Sequence, residues 1–168
     1  YMEVVNTLRG VVDAKDTYTK GHSDRVSYYA AAIARRLGRD AACCEQIRVA
    51  GLFHDVGKLS VPDEILLKPT SLTDEEYEII KTHSRKGTDI LSALTQFRPI
   101  LPAVLSHHER YDGGGYPEGL KGEEIPEMAR IIAVADSFDA MTSDRQYRRS
   151  LGFWHAVEEL ERGRGTQF

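Results

Sequence analysis

Long hydrophobic runs are missing from this sequence of 168 residues. A helix that spans a membrane needs about 20 consecutive, mainly apolar residues, and no stretch here approaches that length. No apolar signal segment is visible near the start either. We therefore expect no direct insertion of these residues into a membrane.

Cysteine and excess positive charge are also scarce. The two cysteines, Cys43 and Cys44, are neighbours in sequence and are therefore poorly placed to form a disulfide with each other. They favour a reduced cytoplasmic protein over a disulfide scaffold. The formal net charge is -4, which argues against a general surface for DNA or RNA polymers. Any contact with a nucleotide would depend on a few well-placed arginines and lysines.

The apolar residues recur with helical spacing almost everywhere. Val26, Ala30 and Ile33 lie on one helical face, Gly38 is placed to end that helix, and Asp40 could cap the next one. No alternating run is long enough to predict a strand. The sequence therefore predicts an all-α, compact multi-helix bundle.

Local motifs divide the predicted bundle into separate helices. Residues 73–76 form a capping box at the start of a helix that runs toward His83. Pro102 is tolerated in the first turn of a helix that leads to His108. Further helices are predicted at residues 4–12, up to His54, around Ile90 to Leu94, at 125–141 and at 153–160.

Residues 109–124 form the one long irregular stretch, and they contain five glycines and a proline. Connections of this length in a compact domain are usually functional or disordered. Glycine allows close approach of the backbone to a ligand. Because the stretch directly follows His107 and His108, we expect a functional loop; the alternative is a mobile surface loop without a role.

The histidines carry the strongest chemical signal. Two of them are directly followed by a potential ligand, in the pairs His54-Asp55 and His107-His108, and Asp136 lies in an apolar segment where an unpaired carboxylate would be costly to bury. Imidazoles and carboxylates are standard ligands of divalent metals, and seven suit two ions better than one. The predicted ligands are His22, His54, Asp55, His83, His107, His108 and Asp136.

Each of these residues also has a simpler interpretation. A single histidine at a helix end, such as His22 or His83, is more often a packing or capping residue than a ligand. Asp139, one turn beyond Asp136, is either a partner of the metal ligands or a surface charge. His155 lacks such neighbours and is expected to lie at the surface or to pack. The ligand prediction therefore rests on the set as a whole.

In this order, the residues resemble the HD superfamily of metal-dependent phosphohydrolases, and several strings resemble its bacterial HD-GYP branch. The resemblance extends from Asp16 onward, which favours a single HD-GYP catalytic domain at residues 1–168. The abrupt ends of the sequence favour excision from a longer multidomain protein. The strings are HDVGK (54–58), VPDEILLKP (61–69), LTDEE (72–76), HHERYDGGGYPEGLKGEEIP (107–126) and DRQYR (144–148).

The resemblance implies a phosphodiesterase that hydrolyses cyclic di-GMP to pGpG and, in many members, on to GMP. One metal would be bound by His22, His54, Asp55 and Asp136. The second would be bound by Asp55, His83, His107 and His108, with Asp55 as the bridge. Tyr18 occupies the position where some members have a glutamate that holds a third metal. We therefore expect two metals, with iron or manganese favoured and nickel, cobalt or zinc also compatible with the ligands.

The chemistry of phosphodiester hydrolysis fits this arrangement. Two divalent ions about 3.5–4 Å apart can hold a bridging hydroxide and stabilise the phosphoryl oxygens. Asp55 and Lys58 are the expected catalytic residues, since Lys58 could contact a phosphate oxygen; its simpler interpretation is a solvated charge at a helix end.

The resemblance also places contacts to the substrate outside the metal ligands. Arg145 and Arg148 suit phosphate or guanine edges, although Gln146 replaces the usual proline of that motif. Tyr116 would contact the nucleotide or anchor its own loop. The expected substrate contacts are Lys58, Tyr116, Arg145, Arg148 and Asp16, whereas Arg25 is expected to pair with acidic residues internally.

Two other classes of function stay open at this level. The domain could be a sensor that binds a cyclic dinucleotide with little turnover, or a helical di-iron protein with oxygen chemistry. The sequence does not separate cyclic di-GMP from cyclic GMP-AMP as the substrate, or pGpG from GMP as the product. A homodimer and attached regulatory domains are compatible with the resemblance.

Overall fold

In the computed structural model of the protein, residues 5, 7, 8, 10, 21–144 and 150–168 are described. Within them every regular element is helical and no strand occurs, as the apolar spacing predicts. The α-helices are α1 (His22–Arg36), α2 (Ala41–Phe53), α3 (Asp63–Leu66), α4 (Asp74–Lys81), α5 (His83–Ser92), α6 (Leu101–Ser106), α7 (Glu127–Thr142) and α8 (Phe153–Arg162), and 3-10 helices cover Val56–Ser60, Thr95–Ile100 and Gly122–Glu124.

The predicted helix ends are confirmed where a local side chain determines them. Gly38 follows α1 with a φ of 75°, a conformation that glycine adopts without steric cost. The carboxylate of Asp40 accepts a hydrogen bond of 2.8 Å from the Cys43 amide and caps α2. The capping box is present at Thr73 and Glu76.

The ends of other helices differ from the sequence prediction. The two ligand pairs were expected on helices, but α2 ends at Phe53 and α6 at Ser106, so both pairs lie just beyond a helix C-terminus. Likewise α5 ends at Ser92 before the predicted Leu94. Apolar spacing continues through such turns because their side chains still pack inward, and so it does not mark the last hydrogen-bonded residue.

The hydrophobic core lies between α1, α2, α6 and α7. Phe53 packs edge to face against Phe97, with the ring centroids 5.4 Å apart. Val5, from the first predicted helix, is buried in the same core. Cys43 and Cys44 are free thiols, of which Cys44 is buried. Across the ranges the structure describes, no helix has the length and apolar character of a membrane span.

The core brings distant parts of the chain to one side of the bundle. α1 packs against both α2 and α7, and α5 packs against α6 and the 3-10 helix Val56–Ser60. The end of α2, the start of α5 and the end of α6 therefore converge near α1 and α7. This convergence brings the predicted ligands together at one site.

Candidate metal centre

Seven potential ligands form two adjacent groups. In each group the candidate ligand atoms all lie within 4.8 Å of one another, which is compact enough to hold a metal ion. The groups contain all seven side chains that the sequence predicts as ligands. The first consists of His22, His54 and Asp136, and the second of Asp55, His83, His107 and His108.

Asp55 lies between the two groups, and its two carboxylate oxygens face different histidines. Oδ1 is 3.3 Å from Nε2 of His83 and 3.8 Å from Nε2 of His107. Oδ2 is 3.4 Å from Nε2 of His54 and 4.0 Å from Nε2 of His22. A carboxylate in this position could contact two ions at once.

Three of the histidines are oriented by the same backbone contact. Nδ1 of His54, His83 and His107 lies 2.7, 2.7 and 2.8 Å from the carbonyl oxygen three residues earlier. A carbonyl oxygen only accepts, so each Nδ1 must carry the proton and donate it. Nε2 is then left with a lone pair that points into the site, which is the tautomer a metal ligand requires.

The Nε2 lone pairs of two of these histidines face each other at short distance. Nε2 of His83 and Nε2 of His107 are 3.3 Å apart, although both nitrogens are acceptors in the tautomer just described. Nε2 of His54 is buried and has no hydrogen-bond partner among the described residues. Facing lone pairs repel each other, and an unpartnered buried acceptor is costly. A cation would remove both penalties, so the donor set fits divalent metals.

Burial keeps the three histidines of the second group in the neutral form. It lowers the pKa of His83, His107 and His108, in the case of His108 to about 4. The imidazoles therefore stay unprotonated at neutral pH. Neutral imidazole is the form that coordinates a metal.

The first group is organised by carboxylates of α7. Nε2 of His22 is 3.3 Å from Oδ1 of Asp136, and Nδ1 is 2.7 Å from Oδ2 of Asp139. Burial lowers the pKa of His22, but the two carboxylates outweigh burial and raise it to about 9. Arg25 donates to both oxygens of Asp139, at 2.6 and 3.0 Å.

The two carboxylates of α7 differ in their exposure to solvent. The side chain of Asp136 is 21% exposed, whereas Asp139 is buried. Both His22 and Arg25 compensate the buried charge of Asp139. This excludes the surface-charge interpretation of Asp139 and confirms that Arg25 pairs internally.

Lys58 forms an ion pair inside the site. Its Nζ is 2.6 Å from Oδ2 of Asp55, so it is not merely a solvated charge at a helix end. Burial opposes ionisation of Asp55, but the ammonium of Lys58 outweighs burial and holds the pKa of Asp55 well below its usual value. Asp55 is therefore a carboxylate at neutral pH.

The glycine-rich loop is fixed to the site by Glu109, a residue for which the sequence predicts no role. Glu109 is buried and accepts hydrogen bonds from the amides of Glu118 and Leu120, at 2.7 and 3.1 Å. A Cβ added to Gly115 would lie 2.3 Å from the nitrogen of Arg110, so glycine is required there. A glutamate directly after a ligand pair was the only sequence signal for this role.

The loop places Tyr116 against the second ligand group. Its ring stacks on His108 with the centroids 4.8 Å apart and the planes 27° apart. Burial raises the pKa of the Tyr116 phenol, so the side chain stays neutral. Tyr116 thus anchors its own loop and also covers one face of a candidate ligand.

The remaining predicted residues lie elsewhere. The side chain of His155 is 55% exposed and faces Glu159 on α8, which confirms a surface position. Three expected substrate contacts and two departures from the family's pattern lie outside the described residues. They are Asp16, Tyr18, Arg145, Arg148 and Gln146.

Comparison with known proteins identifies the same scaffold. The family model described as HD domain matches residues 6–168. A cyclic di-GMP phosphodiesterase of Thermotoga maritima is 44% identical over 95% of this chain and 44% of its own length. A 3'3'-cGAMP-specific phosphodiesterase 3 of Vibrio cholerae is 41% identical over 96% of this chain and 35% of its own length. The chain thus spans less than half the length of these relatives.

Solved structures agree in fold. The cyclic GMP-AMP specific phosphodiesterase V-cGAP3 of V. cholerae superposes with a TM-score of 0.72 at 19% identity, over 99% of this chain and 45% of that one. Bd1817 of Bdellovibrio bacteriovorus, described as an HDG"Y"P protein, superposes with a TM-score of 0.72 at 21% identity, over 92% of this chain and 49% of that one. Helices that differ in most residues therefore adopt the same arrangement.

Proposed function

We propose that this chain, which belongs to the HD domain family, hydrolyses cyclic di-GMP at a centre of two divalent metals. The observation that carries the proposal is the position of Asp55, whose two oxygens face the two separate ligand groups. Curated relatives named as phosphodiesterases of cyclic di-GMP and of 3'3'-cGAMP support a cyclic dinucleotide as the substrate.

The proposed ligands follow the two groups. Asp55 would contribute one oxygen to each, so that one ion would be held with His22, His54 and Asp136 and the other with His83, His107 and His108. Two bound divalent ions supply a nucleophile at neutral pH and stabilise charge on the phosphoryl oxygens. The donor types alone do not distinguish the metals, since nickel, cobalt and zinc suit the same donors. The family resemblance favours iron or manganese.

The protein's own side chains have distinct tasks in this mechanism. Asp55 bridges the ligand groups, and Lys58 offers an ammonium beside it, where it can also contact a phosphate oxygen of the substrate. Tyr116 forms the edge of the site next to His108 and supplies a ring face for the nucleotide. Asp16, Arg145 and Arg148 are proposed substrate contacts on the family resemblance alone.

Substitution of the shared ligand tests the proposal directly. We expect Asp55→Ala and His54→Ala to lose more activity than the roughly 10- to 100-fold that removal of an outer-shell partner costs. The physical reason is that Asp55 holds both ligand groups together. The assay is product identification by chromatography, with cyclic di-GMP and anaerobically purified protein loaded with iron or manganese; it also shows whether the product is pGpG or GMP.

The matched control is Asp89→Asn, because Asp89 is an exposed carboxylate on α5. It should retain full turnover, and circular dichroism should show the same helix content in all variants. Full turnover by metal-loaded Asp55→Ala would contradict the mechanism. Tight binding of cyclic di-GMP without any product from the unaltered protein would instead identify a sensor.

A further inference from the structure

We infer that Tyr77 and Lys81, both on α4, form the surface that binds a purine base of the substrate and that Lys81 favours guanine there over adenine. The inference rests on the proposed function, since it assumes a cyclic dinucleotide at the neighbouring ligand groups. It adds two residues that neither the ligand set nor the glycine-rich loop contains. We call Tyr77 and Lys81 together the α4 base surface.

The α4 base surface is connected to the candidate metal centre through one ring. Tyr116 stacks on His108 and meets His83 edge to face, with a centroid distance of 6.4 Å to His83. Tyr116 also meets Tyr77 edge to face, with the ring centroids 6.5 Å apart. Tyr77 therefore lies one aromatic contact beyond the residue that borders the site. A base attached to a phosphate held at the centre would extend outward across these rings.

Lys81 is held over the same rings. Its Nζ is 5.0 Å from the ring centroid of Tyr77 and 5.7 Å from that of Tyr116, within the range of cation–π attraction. Glu78, one turn earlier, accepts a hydrogen bond of 2.6 Å from the same nitrogen. An ammonium restrained by two rings and a carboxylate loses little further freedom when it binds a ligand.

The exposure of Tyr77 leaves its ring open to a ligand. Tyr77 is 46% exposed, although it lies beside a site of buried histidines. Single exposed aromatic residues are common and need no explanation by themselves. Here the exposed ring and a restrained cation lie together next to the ligand groups. Stacking on aromatic rings and cation contacts are the means by which proteins bind single nucleotides.

The chemistry of the purines makes Lys81 selective. Guanine presents two acceptors on one edge, N7 and O6, whereas adenine presents the acceptor N7 beside an amino donor. Lysine only donates hydrogen bonds. Lys81 can therefore donate hydrogen bonds to both N7 and O6 of guanine. On adenine it would face the amino group, which is also a donor. The ring of Tyr77, by contrast, accepts the face of either base.

Kinetics with matched substrates tests the inference. We expect Tyr77→Ala to raise KM for cyclic di-GMP roughly 5- to 100-fold, while Tyr77→Phe keeps the ring and changes KM by less than about twofold. Lys81→Met should reduce the preference for cyclic di-GMP over cyclic di-AMP, as a ratio of kcat/KM, by roughly 5- to 100-fold. Lys81→Arg should restore most of that preference because it restores the donor.

Two controls separate base binding from support of the loop. Tyr28→Ala removes another exposed tyrosine, one on α1 that is 67% exposed, and should leave KM unchanged. Bis(4-nitrophenyl) phosphate is a phosphodiester without a purine, and all variants should hydrolyse it at the unaltered rate. If Tyr77→Ala lost as much activity on this compound as on cyclic di-GMP, Tyr77 would only support Tyr116, and the inference would be overturned. An unchanged KM for cyclic di-GMP in Tyr77→Ala would also overturn it.

Equilibrium binding of cyclic di-GMP to the same variants distinguishes this inference from the proposed function. If the unaltered protein binds the dinucleotide without hydrolysing it, the phosphodiesterase proposal fails. Weaker binding by Tyr77→Ala would then still support the α4 base surface, and unchanged binding would overturn it. Absence of both binding and hydrolysis in the unaltered protein would overturn the two proposals together.

Discussion

Asp139 illustrates how a single residue can organise the site without being a ligand. It is buried, and its carboxylate accepts hydrogen bonds from Arg25 and lies 2.7 Å from Nδ1 of His22. A carboxylate at Nδ1 turns the ring so that Nε2 faces Asp136 and raises the basicity of that nitrogen. The backbone carbonyls have the same effect on His54, His83 and His107, but no side chain is needed there.

We expect Asp139→Asn to weaken metal binding at the His22 group by about 10- to 100-fold. The amide keeps the shape of the side chain but removes the charge that compensates Arg25 and orients His22. Competition with a chelator of known affinity measures the metal affinity, and titration past one and then two ions per protein separates the two sites. The control Asp89→Asn removes an exposed carboxylate from α5 and should leave both affinities unaltered. Equal metal affinity in Asp139→Asn and the unaltered protein would show that Asp139 serves the fold alone.

At the scale of elements, the critical contact is between the 3-10 helix Val56–Ser60 and α5. Gly57 lies so close to the start of α5 that an added Cβ would be 1.8 Å from the carbonyl oxygen of His83 and 2.5 Å from the amide of Gly87. Both contacts are with backbone, which cannot move without displacing a helix. The short distance keeps Asp55 next to His83, so the proposed bridge between the ligand groups depends on the absence of a side chain at Gly57.

Gly57→Ala should therefore lower the free energy of unfolding by about 1–3 kcal/mol or more, as overpacking of a filled interior does. It should also reduce activity, because the start of α5 carries His83. Chemical denaturation and turnover of cyclic di-GMP are the measurements. Gly10→Ala is the matched control, because Gly10 is helical and no atom of the described residues lies within 4 Å of its added Cβ. It should be neutral or stabilise by about 0.5–1 kcal/mol; equal stability of Gly57→Ala and Gly10→Ala would contradict the packing argument.

The same scale shows why some elements could be predicted and others could not. The starts of α2 and α4 depend on a side chain within three residues, Asp40 and Thr73, and such local capping is visible in sequence. The turns after Phe53 and Ser106 depend on packing against α5 and α7, which no local pattern encodes. The sequence does not predict the proposed α4 base surface for a related reason. Only the fold brings Tyr77 and Lys81 next to Tyr116, which is 35 or more residues away in sequence.

At the scale of the whole molecule, the candidate centre joins parts of the chain that are far apart in sequence. His22 lies on α1, Asp136 on α7 and His83 on α5, while Asp55 and His107 follow α2 and α6. Ions bound by these residues would crosslink the bundle at one point. Because binding to the folded state alone stabilises that state, metal occupancy should affect the stability of the entire fold.

Removal of metal by a chelator should therefore lower the melting temperature, and addition of manganese or iron should restore it. A ligand at 100 to 1,000 times its Kd stabilises by about 2.7–4.1 kcal/mol, which corresponds to roughly 5–15 °C for a domain of this size. Scanning calorimetry at matched protein concentration measures the shift. Asp55→Ala should show little or no metal-dependent shift; a full shift in that variant would place the ions elsewhere.

The sequence by itself determined the helical class, several helix starts and the residue types of the candidate ligands, because apolar spacing, capping and donor chemistry are local properties. It also contained the strings that indicated the HD superfamily. The tertiary structure alone decided how those residues meet: which oxygen of Asp55 faces which group, that carbonyls at a distance of three residues orient three of the rings, and that Lys58 pairs with Asp55. These relations depend on packing between segments up to 117 residues apart, and no local pattern in a sequence records such distances.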